Sequence, residues 1–244
     1  MKRFIISGYH AIETILVSHP ELVIKLSTSR SNDNRGLKII KLAKTTQVNF
    51  ELIDSKRVDS IAGHSKHQGF VAEIINPVFL SDKDIVPRLK KLITSRILIL
   101  DSIQDPRNLG ACLRSALAFD FDAVIINKDG SCPINEYVYK TSVGAVLNLN
   151  IFYVTNLVRS IRSLKDIGYW VLGFDGNSQS SIFSEKFPQK TALVLGSEGS
   201  GIRKLVKENC DNLIKIPVSD MVESLNISVA AGITMYELKK QQLN

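Results

Sequence analysis

The sequence predicts an α/β protein with a C-terminal, mostly parallel sheet, preceded by a small α/β unit. Short apolar runs of strand length alternate with runs of helical periodicity, which is the pattern of βαβ units. Polar and glycine-rich segments follow three of the later strand-like runs. Because ligands bind at the carboxyl ends of strands in open α/β sheets, we expect these segments to form one site.

The first 76 residues alternate between short strand-like and helix-like runs. Apolar residues at helical spacing predict helices within residues 11–16 and 37–43. Asn76-Pro77 ends the unit, since proline cannot extend a central strand. The predicted strands are residues 4–6, 23–26, 48–53 and 70–75.

Residues 77–95 are predicted to be a polar linker with one amphipathic helix, marked by Ile85, Leu89 and Leu92. The larger unit then spans residues 96–244. Its predicted strands are residues 97–100, 123–126, 149–154, 170–174, 192–195 and 213–216. Its predicted helices are residues 109–119, 157–167, 202–209 and 225–238.

The composition is that of a globular protein, with 44% hydrophobic and 23% charged residues among 244. The formal net charge of +7 favours a polyanionic partner such as nucleic acid. A mildly basic protein without such a partner would have the same balance. More than half of the net charge lies in the first 76 residues, which points to an accessory binding module.

The three cysteines and four histidines predict neither disulfides nor a metal site, because they form no Cys-x-x-Cys or other ligand pattern. The apolar start of the chain resembles a signal peptide, but His10 and Glu13 interrupt it. No apolar run approaches the roughly 20 residues that span a bilayer. We therefore expect a cytoplasmic protein without a metal and without a membrane partner.

The first polar segment, residues 105–114, leads from a strand into a helix. Asn108 is placed to cap that helix, or to serve a ligand. Arg114 stands among almost entirely apolar helix residues, so it either extends to solvent or contacts an anion. We favour contact with an anion or substrate.

The second segment, residues 195–202, contains three glycines around Glu198. Glycine permits positive φ and close approach of a ligand, whereas a plain tight turn needs fewer glycines. The segment lacks the Lys-Ser/Thr of a phosphate loop, and Glu198 would repel a phosphate. A neutral or cationic ligand fits better.

The third segment, residues 216–228, precedes the last predicted helix. Ser224 is a reasonable N-cap, and Asn226 and Ser228 would then fall in the first turns, where they are mediocre helix formers. The small residues at 229–232 indicate that this helix packs closely against another element. Packing does not explain Asn226.

These three segments resemble the three motifs of the SpoU-type RNA 2′-O-ribose methyltransferases of the SPOUT superfamily. Lys140-Thr-Ser-Val-Gly-Ala145 fits the same family pattern, and the resemblance covers essentially the whole chain. Gly8-Tyr-His-Ala11 and His67-Gln-Gly69 are similar to the substrate-binding domain of the family members that methylate a guanosine in the peptidyl-transferase P loop of bacterial 23S ribosomal RNA.

The resemblance implies a deep trefoil knot around the second and third segments, S-adenosyl-L-methionine as cofactor, and a homodimer. It also implies that the first unit is a ribosomal-protein-like module that binds RNA. The implied catalytic residues are Asn108, Arg114, Glu198, Ser224 and Asn226. The implied cofactor-binding residues are Leu195, Gly196, Glu198, Gly201, Ile216, Pro217, Ser224, Leu225 and Asn226.

Three alternatives remain open at this point. A relative acting on transfer RNA or on another ribosomal nucleotide would carry the same motifs, and a non-enzymatic RNA-binding assembly factor could keep the fold. A dinucleotide dehydrogenase would need a glycine fingerprint that the first strand lacks. One departure from the family pattern is Asp220, at a loop position where the family usually has glycine.

Overall fold

The computed structural model describes residues 3–75 and 77–243, so the predicted boundary at Asn76 lies outside the described residues. The strands are β1 (Arg3–Ser7), β2 (Val23–Thr28), β3 (Phe50–Leu52), β4 (Phe70–Ile75), β5 (Ser95–Asp101), β6 (Ala123–Asn127), β7 (Asn150–Val154), β8 (Trp170–Phe174), β9 (Ser180–Ser181), β10 (Lys190–Gly196) and β11 (Asn212–Lys215). The helices are α1 (Tyr9–Ser18), α2 (Asn34–Thr45), α3 (Ser55–Ala62), α4 (Ile85–Leu89), α5 (Pro106–Ala118), α6 (Glu136–Ser142), α7 (Ala145–Asn148), α8 (Leu157–Asp166), α9 (Lys204–Lys207) and α10 (Ile227–Leu243).

The chain forms two compact units. One comprises the residues up to Val78 together with Ile134–Asn148, and the other comprises Phe79–Pro133 and the residues from Leu149 onward. The first unit thus takes up a segment from the middle of the sequence that was predicted to belong to the larger unit. The predicted linker, residues 77–95, instead contributes α4 to the core of the second unit.

The first unit is built on a four-stranded sheet in the order β1-β4-β2-β3. β4 pairs antiparallel with β1 and β2, and β2 pairs parallel with β3. α1 buries Ile12, Ile15 and Leu16, and α6 lies against β1, where the ring of Tyr139 is 5.3 Å from that of Phe4. Helices α3, α6 and α7 were not predicted, because their apolar residues are too few to give a clear period.

The second unit is a seven-stranded sheet in the order β7-β6-β5-β10-β8-β11-β9, with every strand pair parallel. The predicted α/β class with a parallel sheet is therefore confirmed. The central strands read as continuous apolar runs because both faces of such a sheet are covered. Some of their buried side chains form a hydrophobic core with residues of α4, α8 and the segment around α9.

The order of the strands brings two of the three polar segments side by side. β10 lies between β5 and β8, and its last residue, Gly196, is the parallel partner of Asp101 at the end of β5. The chain returns through β11 and ends in α10, which packs against α5 and β10. The segments that follow β5, β10 and β11 therefore share one edge of the sheet.

Several predicted boundaries differ from the structure. α9 spans only Lys204–Lys207 instead of 202–209, and α10 begins at Ile227 instead of residue 225. The strand predicted at 48–53 is reduced to β3, Phe50–Leu52. Among the described residues, no helix is long and apolar enough to cross a membrane.

Replacing Ile99 by alanine tests the position of β5 in the core. Ile99 is fully buried, so the variant should lose about 3 kcal/mol of unfolding free energy through lost burial and a residual cavity. The fluorescence of the single tryptophan, Trp170 in β8, reports the unfolding of this unit in a denaturant titration. Ile93→Ala, at a side chain that is 82% exposed, is the control. Equal losses in both variants would contradict the assignment.

Candidate active site

Hydrogen bonds between three side chains join the three polar segments. Asn108 Nδ2 donates to Glu198 Oε1 at 2.9 Å, and Asn226 Nδ2 donates to the same oxygen at 2.7 Å. Asn226 Nδ2 also lies 3.2 Å from Asn108 Oδ1. The backbone N–H of Ile227 completes the set at 3.4 Å from Glu198 Oε1. These residues are separated by up to 118 positions in the sequence, so the fold alone brings them together.

Asn108 is available for this cluster because another residue caps its helix. Asp105 is the N-cap of α5, and its carboxylate accepts from the backbone N–H of Arg107 at 2.8 Å. Pro106 occupies the first helical position, where its missing N–H removes no hydrogen bond. Of the two roles that the sequence left open for Asn108, the structure excludes the N-cap, and the amide contacts Glu198.

The glycine segment, residues 195–202, forms a loop around Glu198 whose two ends lie close together. The backbone N–H of Gly201 donates to the carbonyl of Ser197 at 2.9 Å. A Cβ at Gly196 would overlap the backbone of Gly201 and Ile202, so only glycine permits this close approach. Gly199 and Gly201 have φ of +87° and +63°, and nothing lies within 4 Å of where their Cβ atoms would stand. The loop is therefore narrow at its base and open at its tip.

A buried carboxylate fixes the far end of this loop. Asp101 is fully buried and accepts from the backbone N–H of Arg203 at 2.9 Å and from its Nε at 2.7 Å. Next to it, Asn127 accepts from the backbone N–H of Ser102 at 2.8 Å. Neither Asp101 nor Asn127 was predicted to act at the site. Their signal in the sequence is a polar residue at the end of an apolar strand-like run.

Asn226 is both the cap of α10 and a member of the cluster. Its Oδ1 accepts from the backbone N–H of Ser228 at 2.9 Å and from its hydroxyl at 2.6 Å, while its Nδ2 faces Glu198. Ser224, the predicted cap, lies exposed in the loop before the helix. That prediction was wrong because the helix starts three residues after Ser224.

Arg114 lies on the same helix as Asn108 but outside the hydrogen-bonded cluster. Its side chain is exposed, and no hydrogen bond or ion pair joins it to any other residue in the described part of the chain. Arg107, by contrast, pairs with Asp105 at 2.9 Å. Arg114 is thus a guanidinium that remains free for an external anion.

The remaining expected cofactor residues line the same edge of the sheet. Leu195 is buried at the end of β10, and Ile216 and Pro217 directly follow β11. Outside the regular helices and strands, no backbone–backbone hydrogen bond among the described residues involves residues 216–218 or 224–225, so their carbonyl groups, and their N–H groups except at Pro217, are open to a ligand.

The site offers neither a reactive thiol nor a metal-binding cluster. Burial, followed by the charge of Glu198, raises the pKa of the Cys112 thiol to about 12, so it stays protonated at neutral pH. In residues 3–75 and 77–243, no group of three His, Cys, Asp or Glu side chains is arranged to hold a metal ion.

Two family profiles match this chain. The profile of the SpoU rRNA Methylase family matches residues 95–236, and the profile described as RNA 2′-O ribose methyltransferase substrate binding matches residues 5–93. Together they span both units.

Curated proteins with similar sequences match over nearly their full length. The chain is 37% identical over 244 residues to the 23S rRNA (guanosine-2′-O-)-methyltransferase RlmB of Vibrio vulnificus, covering 100% of this chain and 99% of that protein. It is 38% identical over 239 residues to the protein of the same name from Nitrosomonas europaea, covering 97% and 91%.

Solved structures share the fold. The SpoU methyltransferase AviRb from Streptomyces viridochromogenes, in complex with AdoMet, superposes with a TM-score of 0.81 at 19% identity, covering 99% of this chain and 91% of that one. A putative RNA methyltransferase of the TrmH family from Porphyromonas gingivalis gives 0.78 at 23% identity, covering 98% and 90%. With a profile match over more than half its length and relatives 37% identical over all 244 residues, the chain belongs to the SpoU rRNA methylase family.

Proposed function

We propose that this protein transfers a methyl group from S-adenosyl-L-methionine to the ribose 2′-OH of a guanosine in 23S ribosomal RNA, within the peptidyl-transferase P loop. The observation that carries the proposal is the Asn108–Glu198–Asn226 cluster, which joins the three segments typical of the family. Relatives named for guanosine-2′-O-methylation of 23S rRNA favour this substrate over transfer RNA.

The loops that follow β10 and β11 fit S-adenosyl-L-methionine. The space beside Gly199 and Gly201 leaves room for a ligand, and the backbone carbonyl groups of residues 216–218 are available to accept hydrogen bonds from it. Glu198 is the only charged residue between Leu195 and Ile202. A carboxylate favours a sulfonium cation and disfavours a phosphate, so the electrostatics agree with the chemistry. We propose Leu195, Gly196, Glu198, Gly201, Ile216, Pro217, Ser224, Leu225 and Asn226 as the cofactor-binding residues.

We propose that five residues contact the RNA and position the reactants: Asn108, Arg114, Glu198, Ser224 and Asn226. When bound, the cofactor supplies an electrophilic methyl group. A guanidinium stays protonated in proteins, so Arg114 is better suited to binding the nucleotide's phosphate and stabilising the developing alkoxide than to acting as a base. The 2′-OH proton then passes to solvent water as the methyl group leaves its sulfur, and S-adenosyl-L-homocysteine is the leaving group. Glu198 and the two asparagines hold the segments at fixed separation, which orients the reacting groups.

The two regions of the chain are proposed to have different functions. Residues 1–76 bind the RNA and residues 96–244 carry the methyltransferase site, with 77–95 between them. The substrate-binding profile over residues 5–93 and the higher positive charge of the first 76 residues support this division.

We also propose that the chain around the second and third segments forms the trefoil knot. The strand order supports the proposed knot. β10 lies between β5 and β8, and both of these strands precede β10 in the sequence. β11 then lies beyond β8, and α10 returns to pack against α5 and β10.

A homodimer is proposed on the basis of an apolar surface at α10. Phe183, Ile233 and Tyr236 are 81%, 40% and 58% exposed and border one shallow depression. Such a contiguous apolar patch is typical of a protein interface. Because its substrate is ribosomal RNA, we place the protein in the cytoplasm.

Replacing Glu198 tests the cluster. Glu198→Ala removes the acceptor shared by Asn108, Asn226 and Ile227, and should lower kcat/KM by about 10- to 100-fold, since hydrogen bonds to a charged group contribute about 1.5–3 kcal/mol. Glu198→Gln keeps an acceptor oxygen and should retain more activity. Tritiated methyl transfer to a 23S rRNA fragment measures both. Glu208→Ala is the control, and normal turnover by Glu198→Ala would contradict the proposal.

Replacing Arg114 tests whether this residue acts in methyl transfer to RNA and not in cofactor binding. Arg114→Ala should lower kcat by about 100-fold or more, because it removes donors aimed at developing negative charge. Its affinity for S-adenosyl-L-methionine, measured by calorimetry, should stay within about twofold of the wild type. Arg159→Ala, at another exposed arginine on α8, should leave both quantities unchanged. Wild-type turnover by Arg114→Ala would overturn its assignment.

A charge placed in the apolar patch tests the dimer. Tyr236→Glu should convert the protein to a monomer in analytical ultracentrifugation, because it would bury an unpaired carboxylate in the interface. Leu205→Glu on α9 introduces the same charge at another exposed apolar residue, 66% exposed, and should leave the dimer intact. A monomeric wild-type protein, or a dimeric Tyr236→Glu variant, would count against the interface.

A further inference from the structure

Helix α2 presents an exposed face that carries only positive charge. Arg35, Lys38, Lys41 and Lys44 recur every third residue and are all exposed. The opposite face buries Gly36, Ile39 and Ala43 against the first unit. No acidic residue occurs between Asn34 and Thr45, so the face has no compensating charge of its own.

Most of this charge is not neutralised by neighbouring elements. Lys38 pairs with Glu13 at 2.5 Å, and Arg35 lies over the ring of Tyr9, 5.2 Å from its centroid. The side chains of Lys41 and Lys44 make no hydrogen bond or ion pair with any residue in the described ranges. Asp33, the nearest carboxylate in sequence, is engaged in capping α2 and in a 2.6 Å pair with Arg30.

Elsewhere in this unit, cations of the sheet are paired. Arg3 meets Glu73 at 3.1 Å, and Lys25 meets Glu51 at 2.8 Å. Among the described helices of this unit, α2 carries the most lysines and arginines, four in all. Three of the four cations of α2, Arg35, Lys41 and Lys44, have no carboxylate partner in the described residues, and such a cluster raises the local potential and attracts polyanions.

The length of the row suits a nucleic-acid backbone. Lys44 follows Arg35 by nine positions, which is a rise of about 13–14 Å along the helix axis. At the charge spacing of one DNA strand, about 3.4 Å along the axis, this length corresponds to about four phosphates. Flexible lysines act as point charges toward phosphate and need no fixed geometry.

We infer that the exposed face of α2, formed by Arg35, Lys38, Lys41 and Lys44, is the surface on which the phosphate backbone of the substrate RNA docks. The inference rests on the proposed function and deepens it, since it assigns RNA affinity to one helix. Phosphate contacts fix position without reading sequence. This face therefore sets affinity for RNA and leaves methyl transfer to the residues at the sheet edge.

The test removes two unpaired cations from the full-length protein. Lys41→Ala/Lys44→Ala should weaken binding to a 23S rRNA fragment about tenfold near 0.1 M salt, and should reduce the slope of log K against log salt by about 1.5. Alanine is the best helix former, so the helix is retained. The KM for RNA should rise, while kcat and the affinity for S-adenosyl-L-methionine stay unchanged. Lys41→Glu/Lys44→Glu should weaken binding further.

The matched control is Lys56→Ala/Arg57→Ala, which removes the same charge from α3 in the same unit. It should change RNA affinity by less than about twofold. Equal losses in both double variants, or an unchanged salt slope in Lys41→Ala/Lys44→Ala, would overturn the inference. Normal RNA binding with reduced methylation of ribosomal particles would also overturn it and would assign the face to a protein partner. If the wild type binds RNA but does not methylate it, the proposed function fails while the binding result still decides the role of α2.

Discussion

The candidate site depends on the carboxylate of Glu198 accepting hydrogen bonds from Asn108 and Asn226. Each of these residues belongs to a different strand-end segment, and each is placed by a different element: the first turn of α5, the loop after β10 and the cap of α10. Without this common acceptor, the loop after β10 would lose its hydrogen bonds to both asparagines and to the N–H of Ile227, and only the 3.2 Å contact between Asn226 and Asn108 would remain. The same negative charge makes the edge of the sheet suitable for a cation and unsuitable for a phosphate.

The loop that carries Glu198 is held in place at its base by residues that are not proposed to be catalytic. Asp101 binds Arg203 through both backbone and side chain, and Gly196 allows the two ends of the loop to approach. A buried carboxylate is stable only when its oxygens are paired, so the position of Arg203 follows from that of Asp101. A rigid base and an open tip are what a site needs if it must admit a ligand and still orient it.

The row of cations on α2 and the residues proposed for catalysis are located in different parts of the chain. The strand-end segments contain one exposed arginine without a partner, Arg114, whereas α2 carries a row of cations. This separation agrees with an enzyme that gains RNA affinity from phosphate contacts and methyl transfer from a few oriented groups. It also explains how a site built around a carboxylate can act on a polyanion.

The sequence by itself determined the α/β class, most strands and the three segments of the site, because apolar periodicity and the polar residues that interrupt it are local properties. It left the cap of α5 undecided and placed that of α10 at Ser224, since Asp105 and Asn226 compete locally with Asn108 and Ser224 and only backbone geometry decides between them. It also missed the support from Asp101 and Asn127 and the packing of residues 134–148 with the first unit. Only the tertiary structure decided this support and this packing, because they depend on contacts between residues far apart in the chain, which no local pattern encodes.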